Sequence, residues 1–380
     1  MRTKALLRTT VAAALVAVAA VAASASADAG DTDGVASCPA ASSQWNGQNP
    51  WCYPWQTDSD WLQRTVAVPS PADGTNLSGT EFRPAGAPPG ATLPAVAILH
   101  GLGGKEYSVW WLARYLAGHG YVALTVTTAS NSAAAFTNAM QSMVDYLRSP
   151  TNPYAAFIDP AEIGAIGHSA GARAASWVQD NDYWTDTAHT AVKPDHVAAV
   201  VALDNLTSNL QGDSGTYLLA PQCTLSQAAG QPVYTSGFAS EPITPRVPSL
   251  GMASDDNSVT CPERNLVADP SEKEAAWTAW RAAGLDTMEL VLAGTNHLSF
   301  DQDASRTFTH DAHLELIGEI AKAWLDTYLG GDPTAIGALT GPALFGAPRG
   351  SQLSTQLHSA AYLPQLGIDC PTFETTAGCS

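Results

Sequence analysis

Gly167-His168-Ser169-Ala170-Gly171 sets a serine between two glycines in the spacing G-x-S-x-G. A serine hydroxyl is a weak nucleophile until a neighbouring base takes its proton. The motif suits that task where a strand turns sharply into a helix, because the hydroxyl is then held at the tip of the turn. Both flanks fit. Glu162 to Ile166 reads as a strand and Ala172 to Gln179 is compatible with a helix. Small residues are needed where the strand and helix backbones approach too closely for a Cβ, and the helix start brings partial positive charge to the serine. The plain alternative is a glycine-rich turn in which Ser169 only caps the helix.

A nucleophilic serine needs a base, and the base needs an orienting acid. Of nine histidines, His297 in AGTNHLSF follows the apolar run Met288 to Leu292. His168 adjoins the serine, but neighbouring side chains on such a turn point apart. His310, His313 and His358 fall in or near the last helix or the tail. Two sites offer the acid: Asp204, which ends VVALDNL, and the doublet Asp255-Asp256 in LGMASDDN. Asp204 stands immediately at a strand end, whereas the doublet lies among Asn and Ser, a composition typical of solvated loops and helix caps. The reading favours Asp204 and keeps Asp255 and Asp256 open.

These residues need a frame. Apolar runs occur at Leu93–Leu99, Tyr121–Val126, Glu162–Ile166, Val197–Leu203, Pro248–Met252 and Met288–Leu292. Helical spacing occurs at Ala134–Arg148, Glu272–Arg281 and His313–Leu329. Short apolar runs separated by helices predict an α/β fold, with a mostly parallel central sheet covered by helices on both faces. Ligands in such sheets bind outside the carboxyl ends of the strands, and every favoured residue follows one of these runs. Residues 205–245 are expected to form a site wall or lid, and residues 331–380 a wrapping tail after a catalytic domain over 61–330.

His100-Gly101-Leu102-Gly103-Gly104, then YSVWWLARYLAGHGYVALTV, then IGHSAGA, resemble the α/β-hydrolases in content and order. More narrowly they are similar to the platelet-activating-factor acetylhydrolases and to the secreted polyester hydrolases and cutinase-like lipases. The resemblance covers roughly residues 65–330 and implies the α/β-hydrolase fold. An oxyanion hole needs two N–H donors: one is expected from Ala170, the residue after the nucleophile, and the resemblance implies Leu102 as the other. A histidine placed like His100 more often braces such a turn by hydrogen bonding than acts as a base. The usual position of the acid in that fold, kept by the polyester hydrolases, favours Asp255 or Asp256. The acetylhydrolase pattern favours Asp204. Trp110, Trp111 and Trp177 lie beside these motifs; two are expected to pack against the sheet, and an exposed one would offer a platform for substrate.

Composition sets the setting. The chain has 380 residues, 45% of them hydrophobic, with 17 Lys+Arg against 35 Asp+Glu and a net charge of −18. That excludes a disordered chain and argues against nucleic acid and anionic membrane surfaces. Arg2, Lys4 and Arg8, an apolar run from Val11 to Ala23 and Ala25-Ser26-Ala27 predict a secretory signal peptide over 1–27, too short for a membrane span. Residues 28–60 read as an irregular lead-in. Cys38, Cys52, Cys223, Cys261, Cys370 and Cys379 predict three disulfides in an exported chain, with sequence neighbours as the first pairing to consider. No spacing calls for a metal or a cofactor. The expectation is a secreted, monomeric serine hydrolase of carboxylic esters. The rivals are an acyltransferase with the same triad and a non-catalytic binding scaffold.

Overall fold

The computed structural model describes residues 61–72, 74–88, 90–204, 206–208, 217–218, 232–234, 242–255, 270–302, 308–340, 353 and 359–371. The lead-in, most of the 205–245 segment, Asp256 and five of the six cysteines lie outside them. Cys370 is disulfide-bonded.

The fold is α/β. Strands β1 (Trp61–Ser70), β2 (Thr75–Pro84), β3 (Leu93–Leu99), β4 (Val122–Val126), β5 (Ile158–His168) and β6 (Ala199–Leu203) precede two short strands, β7 (Tyr217–Leu218) and β8 (Pro232–Tyr234). After them come β9 (Ser249–Ser254), β10 (Thr287–Leu292), β11 (Ala360–Leu363) and β12 (Ile368–Cys370). A ten-stranded sheet runs in the order β1-β2-β4-β3-β5-β6-β9-β10-β11-β12, and β7 pairs only with β8. From β4 to β10 every pairing is parallel; β1, β2, β11 and β12 are antiparallel additions at the two edges.

The inner strands β6, β9 and β10 are buried at every position. That follows from helices on both sides, which make either face of an inner strand a core face. The helices are α1 (Trp110–Gly118), α2 (Ala133–Arg148), α3 (Ala170–Asn181), α4 (Pro270–Ala282) and α5 (Phe308–Tyr328). Val96 and Ile98 of β3 pack in one core with residues of α1 and α5. Ala95, Ala97 and Leu99 pack in the other with residues of α2, α3 and α4. No helix among the described residues is long and apolar enough to cross a membrane.

Two features go beyond the sequence reading. The β1–β2 hairpin pairs residue for residue from Trp61↔Pro84 to Ser70↔Thr75. The segment after residue 330, read as a wrapping tail, joins the sheet itself: β11 pairs with β10 and β12 with β11. Ile336 and Leu339 belong to the α1/α5 core.

Glu81 of β2 is fully buried. Asn152 Nδ2 donates to its Oε1 at 2.8 Å, while Oε2 meets no partner. Burial pushes the carboxyl up to about 8, against smaller opposing effects of the Asn152 bond and the Arg64 charge. The folded chain therefore holds this proton more tightly than the unfolded chain, and the group loses stability as pH rises from about 4.5 to 8. Glu81→Gln removes that loss. Chemical denaturation should find the variant within about 1 kcal/mol of the parent at pH 4.5 and more stable by roughly 2–4 kcal/mol at pH 9. A difference that stays constant with pH would contradict the assignment.

Candidate active site

Residue 169 stands at the step from β5 into α3. Its φ of 56° and ψ of −116° lie where an L-residue is strained, a conformation that costs on the order of 1–3 kcal/mol. Its N–H bonds the Leu203 carbonyl of β6 at 3.0 Å, so the turn is tied to the neighbouring strand end. The glycines have separate reasons. A Cβ at Gly167 would sit 2.1 Å from the carbonyl carbon of Gly171, and one at Gly171 would sit 2.3 Å from the Leu99 carbonyl oxygen. Strand and helix meet backbone to backbone, and the half-buried Ser169 is left at the apex.

The turn after β3 faces this apex. Gly104 N–H bonds the Gly101 carbonyl at 3.1 Å, and Gly103 takes φ 75° at the third position, as a type II turn requires. Leu102 is the second residue, so its N–H is not spent on the turn's own bond. A Cβ at Gly101 would lie 3.1 Å from Ser169 Cβ, which measures how closely turn and serine approach. Ala170 opens α3, and its N–H is among those that no helical carbonyl takes.

His100 braces the turn, as expected. The Thr128 N–H donates to its Nε2 at 3.2 Å, which leaves Nδ1–H to donate to the Gly101 carbonyl at 2.6 Å. An Nε2 that accepts from an N–H carries no proton, so the ring is neutral, and burial pulls its pKa down in the same sense.

The structure brings Asp204 and His297 together. His297 opens a short 3-10 turn, His297–Phe300, after β10, and its Nδ1 lies 2.6 Å from Asp204 Oδ2. Both side chains are buried. Asp204 ends β6 with φ 52°, and its N–H bonds the Met252 carbonyl of β9 at 2.6 Å. Its other oxygen accepts from Ser254 N–H at 2.9 Å and from Ser254 Oγ at 3.1 Å. Asp255 is not directed at the imidazole: its Oδ1 accepts the Thr295 N–H at 3.2 Å. It supports the loop that carries His297.

Four residues, Ser254, Gln302, Trp111 and His168, contribute in ways the sequence reading does not give. Ser254 orients the acid. Gln302 and Trp111 pin the histidine loop to the start of α1: Trp111 N–H donates to Gln302 Oε1 at 3.0 Å, and Trp111 Nε1 donates to the Phe300 carbonyl at 3.2 Å. His168 reaches His297, its Nε2 lying 2.9 Å from the His297 carbonyl oxygen. None of the three tryptophans is an exposed platform. Trp111 is fully buried, and Trp110 and Trp177 are half-buried against the two cores.

No protein-family model matches the chain, and a search of curated proteins finds no relative. The chemistry therefore rests on the geometry. At the carboxyl ends of β5, β6 and β10 stand a hydroxyl on a strained turn, a carboxylate and an imidazole bonded to it. The Ala170 N–H follows the serine at the start of α3, and Leu102 lies in the turn whose Gly101 comes up against Ser169. Among the described residues no group of three His, Cys, Asp or Glu side chains could hold a metal ion.

The backbone contact at the turn makes a direct prediction. Gly167→Ala should lower unfolding free energy by at least about 3 kcal/mol, since the obstacle is main chain that cannot rotate away. Gly337→Ala, where a Cβ meets nothing within 4 Å, should hold or gain up to about 1 kcal/mol. Denaturant titration of both variants checks this; equal effects would contradict the close approach.

Proposed function

We propose that the chain is an exported serine hydrolase of carboxylic esters with the α/β-hydrolase fold. The observation that carries the proposal is the 2.6 Å contact between Asp204 and His297. It stands on the same sheet edge as a strained serine at a strand-to-helix turn. The chain order Ser169, Asp204, His297 is that of α/β-hydrolases. The disulfide at Cys370 supports an oxidising compartment.

Asp204 accepts the Nδ1–H of His297 and so leaves the Nε2 lone pair available. His297 takes the Ser169 proton as Oγ bonds to the ester carbonyl carbon. The carbonyl π pair moves to oxygen, where the Leu102 and Ala170 N–H groups hold it. The intermediate collapses, the alcohol leaves with the proton from His297, and Ser169 carries the acyl group. Water, deprotonated by the same imidazole, attacks the acyl carbon; the acid departs and Ser169 recovers its proton. No step calls on a cofactor. Leu298, next to His297, is 41% exposed and presents apolar surface beside the base, which suits an ester with an apolar part.

Hydrolysis of a short and a long nitrophenyl ester by purified protein tests the proposal. Ser169→Ala should abolish turnover, and Asp204→Asn should cut kcat by about 10⁴-fold. Asp255→Asn should leave kcat within about a factor of ten. A comparable loss from Asp255→Asn, with Asp204→Asn active, would overturn the choice of acid. Turnover that appears only with an added alcohol acceptor would replace hydrolysis by acyl transfer. A folded protein with no turnover at all would leave a binding scaffold.

A further inference from the structure

His168 stands one residue before the serine and is 2% exposed. Its Nε2 faces the carbonyl oxygen of His297 at 2.9 Å. A carbonyl can only accept, so Nε2 must carry the proton, and the neutral ring then keeps its lone pair on Nδ1. Nδ1 meets no hydrogen-bond partner and faces Gly101, where a Cβ would come within 3.0 Å of it. The ring lies against that of His297, centroids 4.7 Å apart and planes at 39°. It also stacks on Phe300 at 6.0 Å and 27°.

His297 is thus held on two sides. Asp204 grips its imidazole at Nδ1, and His168 grips its backbone and backs its ring. We propose that His168 is a positioning residue for His297: its Nε2–H clamps the His297 carbonyl, and its ring fixes the plane in which the imidazole meets Ser169. The role rests on the reading of His297 as the base. The clamp needs His168 neutral. A second proton would go to Nδ1, which has no acceptor and faces Gly101. Burial above all, and the nearby His297 imidazole, hold the His168 pKa down to about 3, against the opposing Asp204 charge and the bond to the His297 carbonyl.

Long-range ¹⁵N–¹H correlation on ¹⁵N-histidine-labelled wild-type protein reads the clamp without any substitution. The expected result is one histidine in the neutral Nε2–H form throughout pH 5–8, assigned to His168 by its loss in a His168 variant. A His168 that titrates within that range, or that carries its proton on Nδ1, would overturn the proposal. Activity supplies the second arm. His168→Leu should lower kcat by about tenfold to a hundredfold with KM little changed, and should broaden the low-field proton resonance of the Asp204–His297 bond. His168→Gln, which can return an N–H to the carbonyl, should recover most of both. A folded His168→Leu with parental kcat and an intact low-field resonance would refute the role. Should wild-type protein hydrolyse no ester, the proposed function fails, yet the histidine spectra still decide whether His168 clamps His297.

Discussion

A carboxylate at the end of β6 has to meet an imidazole that follows β10, and β9 lies between them. Strands two places apart are separated by about 10 Å, more than an aspartate side chain spans. The 2.6 Å bond between Asp204 and His297 therefore depends on β9 as a bracket. The Met252 carbonyl takes the Asp204 N–H, and Ser254 gives its N–H and hydroxyl to one carboxylate oxygen. The second oxygen is thereby aimed past β9 at the histidine loop. Burial of both groups removes competing water and makes the contact stronger than it would be in solvent. The remaining parts of the site are arranged around that fixed pair.

The same economy governs the other imidazoles. His100 and His168 are buried, each donates to a main-chain carbonyl, and burial pulls the pKa of each down. They hold the turn after β3 and the histidine loop without adding charge beside His297, the imidazole that becomes cationic in the mechanism we propose. Rigidity comes from the backbone as well. Gly167 and Gly171 let β5, α3 and the end of β3 touch through main chain alone, so the serine turn cannot drift relative to the turn beside it. Such preorganisation lowers the reorganisation required when charge develops on a substrate oxygen.

Much of this was legible in the sequence, for physical reasons. The inner parallel strands are mostly apolar because helices cover both faces, so β3, β4, β6, β9 and β10 stand out as runs. The β1–β2 hairpin does not, because an edge hairpin alternates: Val66 and Val68 are buried while Thr65 and Ala67 face out, and a buried Glu81 breaks the apolar signal of β2. The edge strands β11 and β12 span only four and three residues, too few for a period to register. The strand-to-helix turn at Ser169 and the position of His297 after β10 were legible from local context. The choice of acid was not: Asp204 and Asp255 both follow strand ends, and only the order β6-β9-β10 and the Ser254 bonds decide which one faces the imidazole. The contact between His168 and His297 was not legible, because the two residues lie 129 apart in the chain.

We propose that Asp204 and His297 activate Ser169 and no other serine. Labelling of the native protein with a fluorophosphonate, with the adduct mapped by mass spectrometry, tests it most directly. A stoichiometric adduct on Ser169, lost in Asp204→Asn, is the predicted result. A folded protein that takes no label, or one labelled at another serine, would contradict the account.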